Sequence, residues 1–203
     1  MPTCHKCNSE YGALENELLT QLALCVDPKA AASSGIADRV LRGLDPAYAK
    51  NDKDALARRR KRERFVSGLL IGNDIPTEGI YPGLGERWGR PKGSGIAFII
   101  PERSLRLLTE KIVRGIAYVD DRKFIEPTHT IEFYAIHDKD ANPVKELLAQ
   151  YGKEYARGAG IKIVRALLPD DGVTAVMSIE IWEAIVMFAS VMPKVDTVEA
   201  GEL

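Results

Sequence analysis

Two cysteines three residues apart stand in the segment Cys4-His5-Lys6-Cys7-Asn8. Thiolates at that spacing, at the mouth of a helix, can turn toward one metal ion, and the helix N-terminus favours the deprotonated sulfur that ligation needs. One such pair supplies two of the four ligands of a closed zinc site. The third cysteine, Cys25, lies roughly 27 Å from Cys7 at about 1.5 Å per helical residue. It cannot share that ion and reads as core. The pair has two other readings, coincidental exposed thiols or a redox couple. A redox couple of the thioredoxin kind should follow a strand in a βαβ unit, and no strand pattern stands before Cys4.

A second chemical feature is Arg58-Arg59-Arg60-Lys61-Arg62-Glu63-Arg64. Adjacent cations repel one another, so the run must be solvated or face an anion. One reading is a solvated helix face. The other is a phosphate-contacting helix in which Arg58, Arg59, Arg60, Lys61 and Arg62 meet a nucleic-acid backbone. No aromatics interleave with the cations, so the run itself offers no stacking platform for a single strand. Such binding is sequence-tolerant and weakened by salt.

The remaining candidates are weaker. His129 and His137 share one side of a predicted strand, but about 26 Å separates residues eight apart in an extended chain, so they cannot meet at one metal. His137, Asp138 and Asp140 read as a polar strand end before they read as a metal cluster. His5 sits between the cysteines as exposed filler or an occasional ligand. Arg87, Trp88, Arg90 and Lys92 fall in a loop that either touches a nucleic-acid backbone or buries Trp88. The Gly83-Leu84-Gly85-Glu86-Arg87-Trp88-Gly89 segment misses the dinucleotide-binding pattern, because its last glycine is one residue late.

The elements that must position these residues follow from periodicity. Tyr11, Leu14, Leu18, Leu22 and Cys25 give one apolar face to a helix starting near Asn8 or Ser9 and ending near Val26. A short helix covers Ile36 to Leu44, and a charged one runs from Asp52 to Leu70, with acidic residues at its positive end. Residues 72–95 carry seven glycines and three prolines, a loop or linker. Ile96 to Ile100 reads as a buried strand and Ser104 to Tyr118 as an amphipathic helix. His129 to His137 alternates as a strand, and Asn142 can cap a helix from Pro143 to about Tyr155. Ile161–Leu168, Val173–Trp182 and Ile185–Met192 are three further strands with hairpin-length connections. The predicted fold is α+β: a helical region over 1–70 with half a zinc knuckle, a linker over 71–95, a mainly antiparallel sheet with packed helices over 96–193, and a flexible tail over 194–203.

Composition narrows the class. The chain has 203 residues, 45% of them hydrophobic, with three cysteines and a net charge of −1. That is a globular composition, large enough to bury a core without disulfides. No run of about 18 apolar residues offers a membrane span, and no apolar core of a signal peptide is present. The expected location is cytoplasmic. Residues 1–70 carry 12 Lys and Arg against 9 Asp and Glu, while the rest carries 16 against 20. Nucleic-acid affinity is therefore expected in the N-terminal third.

The segment Pro2-Thr3-Cys4-His5-Lys6-Cys7-Asn8-Ser9-Glu10-Tyr11, followed by a helix with Leu14 and Glu17, resembles the second zinc knuckle of bacterial HNH endonucleases. Lys111-Ile112-Val113-Arg114-Gly115-Ile116 resembles a recurrent stretch in the C-terminal region of such proteins. The resemblance covers about 20 residues in the first place and six in the second. It implies that Cys4 and Cys7 are structural zinc ligands and that Asn8 contributes to an active site. It also implies a catalytic magnesium or manganese in intact relatives. The first knuckle and the catalytic His lie upstream in that family and have no counterpart here. The expectation is a truncated or degenerate HNH-like protein that binds nucleic acid, DNA above all, without cutting it. A start site placed too far downstream would also account for the missing half. The alternative is a non-enzymatic assembly module, a homodimer in which two copies pool Cys4 and Cys7 into one four-cysteine zinc site.

Overall fold

A computed structural model describes residues 5–23, 26, 30–71, 96–134, 141–158, 160–183 and 185–194. The fold is α+β. Three helices come first: α1 (His5–Ala23), α2 (Ile36–Leu44) and α3 (Asp52–Ser67). Short 3-10 turns at Ala31–Ser33 and Pro46–Tyr48 precede α2 and α3. Strands β1 (Leu69–Ile71) and β2 (Ile96–Phe98) pair with each other alone, with Leu69 opposite Phe98. Helix α4 (Glu102–Asp121) follows, then β3 (His129–Tyr134), α5 (Asn142–Tyr151), β4 (Lys153–Ala156), β5 (Ile161–Leu167), β6 (Ala175–Ile181) and β7 (Ile185–Pro193). The last five strands form one antiparallel sheet in the order β3-β7-β6-β5-β4.

Period-two alternation gives the sheet its sidedness. Every second residue of β6, from Ala175 to Ile181, is buried, and register places Met177 opposite Ala189 and Ile179 opposite both Ile163 and Met187. This face carries the main core. Leu105, Leu108, Val113 and Ile116 of α4 pack on it, and Leu18 and Leu22 of α1 and Val40 and Leu44 of α2 belong to the same apolar cluster. The helical N-terminal region and the sheet thus share one core. Thr109 of α4 reaches Met187 with its hydroxyl, 3.6 Å from the sulfur. Helix α5 covers part of the opposite face, where Leu148 meets a cluster with Ala166 and Phe188.

Four departures from the sequence reading bear on the packing. Helix α1 begins at His5, not near Asn8 or Ser9, so Cys7 and Asn8 lie inside its first turn. Helix α3 stops at Ser67, because Gly68 caps it and Leu69–Ile71 leave as a strand. Ile96–Phe98 does not join the main sheet; it pairs in a two-stranded ribbon, and Ile99 just after it is 66% exposed. Helix α5 stops at Tyr151, because Gly152 crosses against the Leu148 carbonyl and the Val164 side chain, where a Cβ would collide with both. The freed chain, Lys153–Ala156, then adds β4 to the sheet edge. Among the described residues no helix is long and apolar enough to cross a membrane.

Candidate nucleic-acid interface

Helix α3 starts cleanly. Asn51 accepts a hydrogen bond from the Asp54 N–H at 2.9 Å, and Asp52 and Asp54 lie in its first turn. None of its residues is buried, which is unusual for a helix of 16 residues. Its inner side is held by few contacts. Phe65 packs against the core from a half-buried position. Arg58 binds Asp54 one turn back at 3.2 Å and donates from Nη1 to the Arg42 carbonyl of α2 at 2.6 Å. Lys61 donates to Asn16 Oδ1 of α1 at 2.8 Å. Partial burial holds the Lys61 pKa below its ordinary value, and the neighbouring Arg64 adds to that.

The five basic residues singled out from the sequence therefore divide. Arg58 and Lys61 tie α3 to α2 and α1. Arg59, Arg60 and Arg62 face solvent, as does Arg64 a turn further on. At about 100° per residue these four fan across the outer half of the helix, with Glu63 as the one acidic side chain among them. Among the described residues none of the four meets a carboxylate at ion-pair distance. The outer face is an array of unneutralised guanidinium groups on a scaffold fixed at its back. Guanidinium groups suit phosphate oxygens, which they can bind two at a time.

The knuckle residues are placed only in part. Cys7 and Asn8 are the third and fourth residues of α1, where backbone N–H groups lack helical partners. Cys4, Cys25, His137, Asp138, Asp140, Arg87, Trp88, Arg90 and Lys92 lie outside the described residues. Among the described residues no three His, Cys, Asp or Glu side chains gather as a metal site requires. Helices α1 and α4 meet at a charged contact. Lys111 of α4 binds Glu15 of α1 at 2.6 Å and sits 5.2 Å from the Tyr11 ring centre.

His129 lies at the start of β3. Its Nε2 is buried without a hydrogen bond, 3.5 Å from Asp171 Oδ2 in the turn between β5 and β6. Asp171 itself is a turn-former. It accepts from the Thr174 hydroxyl and from the Val173 and Thr174 N–H groups, each of these at 2.7 Å, and these bonds hold its carboxyl well below the usual range.

Two features escaped the sequence reading. Arg165 of β5 points into the core face and is 3% exposed. Asp121, near the end of α4, grips it with two bonds of 2.7 and 2.8 Å, and Tyr155 lies 3.3 Å away. Burial opposes the Arg165 charge, and the bonds to Asp121 and Tyr155 more than offset it, so its pKa stands above normal. An arginine inside an apolar strand is the signal that could have found it. The second feature is a shallow cavity of about 360 Å³ lined by Asp38, Leu41, Arg42, Asp45 and Tyr48, beside α3.

No family model matches the chain, and no curated protein or solved structure matches it.

Proposed function

We propose that this chain binds nucleic acid, DNA in the first place, through backbone phosphates, and that the outer face of α3 is the contact. The observation that carries this is the array of Arg59, Arg60, Arg62 and Arg64, which meets no carboxylate at ion-pair distance among the described residues, on a helix whose Arg58 and Lys61 serve packing. A folded chain gains nothing for its own stability from four like charges on one helix face. Contact with phosphate gains from them directly, because each neutralised phosphate releases condensed counterions. The reading is of an HNH-like protein. The resemblance of Cys4, Cys7 and Asn8 to a zinc knuckle supports the kinship. A cytoplasmic location agrees with the composition.

The test is fluorescence anisotropy of a labelled 20-base-pair duplex at low salt. Arg59→Ala/Arg60→Ala/Arg62→Ala should lose affinity on the order of tenfold or more, and Lys61→Met should keep it. Equal binding by the wild type and the triple variant would refute the assignment. Zinc bound by the whole chain tests the knuckle separately. Half an equivalent per chain with dimerisation fits two copies sharing Cys4 and Cys7, and none fits a remnant.

A further inference from the structure

The cavity beside α3 has a chemistry different from that of the helix. Tyr48 forms one wall and is 59% exposed, a large aromatic surface left open to solvent. Leu41, also exposed, adds an apolar wall. Asp45 has one oxygen engaged by the Ala47 N–H at 2.9 Å. Asp38 and the Arg42 guanidinium meet no ion-pair partner among the described residues. The cavity thus presents a ring face, an apolar edge, hydrogen-bond acceptors and a fork of donors. Its two carboxylates outnumber its one guanidinium, so a phosphate is disfavoured there. A flat, neutral, heteroaromatic group with both donors and acceptors fits it.

The cavity lies beside the helix that carries the arginine array. The Arg42 carbonyl accepts the Arg58 bond, so α2 meets α3 at that point. Arg62 lies one turn along α3 from Arg58 on the same side and faces solvent. The two elements that line the cavity, α2 and the turn bearing Tyr48, thus both pack against the helix that carries the array.

We propose that this cavity receives one unstacked nucleobase, with its ring on Tyr48 and its amino edge toward Asp38. The ligand is a single-stranded or frayed nucleic acid whose base carries an exocyclic amino group. Carboxylates accept from the cytosine amino group, arginine donates to base acceptors, and base–aromatic stacking tolerates many sequences. Bases locked in a duplex cannot enter. The inference rests on the phosphate-binding reading of α3 and adds base contact to it.

The experiment compares two single-stranded dodecamers of equal phosphate count, one all cytosine and one abasic, each titrated with the full chain. Wild type should bind the cytosine strand more tightly by about 5-fold to about 100-fold, the range of one stacked base. Tyr48→Ala should abolish that ratio and leave the abasic affinity unchanged. Tyr48→Phe, which keeps the ring, should restore it. Equal binding of both strands by wild type would overturn the base site and leave the phosphate reading intact, as would a ratio that survives in Tyr48→Ala. Failure to bind either strand would overturn both. Unchanged thermal unfolding of Tyr48→Ala excludes misfolding as the cause of a lost ratio.

Discussion

Helix α3 and strand β5 both carry arginine, and they treat it in opposite ways. Arg165 on β5 is enclosed, gripped by the Asp121 carboxylate and crossed by the Tyr155 ring at 5.2 Å. Arg59, Arg60 and Arg62 on α3 stand in water, and among the described residues no carboxylate lies at ion-pair distance from them. A buried charge must be paired, because its desolvation cost is otherwise uncompensated. An exposed charge has no such requirement, so an unpaired cluster at the surface carries information that a paired one inside does not. The first arginine belongs to the fold. The others are available to a partner.

The sharpest way to break this contrast is to remove the partner from the buried member. Asp121→Ala should destabilise the chain by roughly 3 kcal/mol, the lower end for a broken buried pair, because Asp121 itself keeps some exposure. For a chain of this size that lowers the unfolding midpoint by about 6 to 12 °C. Adding Arg165→Met should recover most of the loss, since a stranded charge is worse than none. A midpoint unchanged by Asp121→Ala would remove the contrast.

The exposed members should behave in reverse. Arg59→Ala/Arg60→Ala/Arg62→Ala should leave stability within about 0.5 kcal/mol of wild type, or raise it slightly by easing repulsion. Only ligand binding should suffer. A thermal shift of many degrees would place these side chains in the fold after all.

A smaller effect concerns acid. The hydrogen bonds that hold Asp171 ionised give it a folded pKa below its unfolded value near 3.9. The stability it contributes is present above about pH 4 and is lost as pH falls below that. Asp171→Asn should therefore lower stability near neutrality and so flatten the acid limb of a stability-against-pH curve, while changing little at the acid end, where Asp171 is itself protonated. An unaltered limb would show that other carboxylates set it. Smallest of all is Lys61→Met, which keeps the stem and gives up one exposed bond to Asn16. Stability should move by less than about 1 kcal/mol.

How much of this was legible in the sequence depended on range. The α+β class, α2, and strands β5 to β7 follow from periodicity, a local signal that Ala175–Ile181 carries cleanly. The ends of α3 and α5 did not, because they are set by what lies across from them. Gly152 ends α5 where Val164 approaches, and Leu69–Ile71 become a strand only because Ile96–Phe98 lie alongside. The arginine run was visible, but not its division. Which cations face inward depends on where Arg42 and Asn16 stand. Asp121 and Arg165 are 44 residues apart and meet only in the fold. Tyr48 carries no local signal in the sequence; its place in a cavity depends on how α2 lies beside the turn that bears it.

The most direct measurement is the salt dependence of duplex DNA binding. The logarithm of the association constant should fall linearly with the logarithm of salt concentration for the wild-type chain. The Arg59→Ala/Arg60→Ala/Arg62→Ala variant should show a slope shallower by about 2 to 3, one lost phosphate contact for each arginine. Parallel lines for the two proteins would mean that these arginines never meet the backbone.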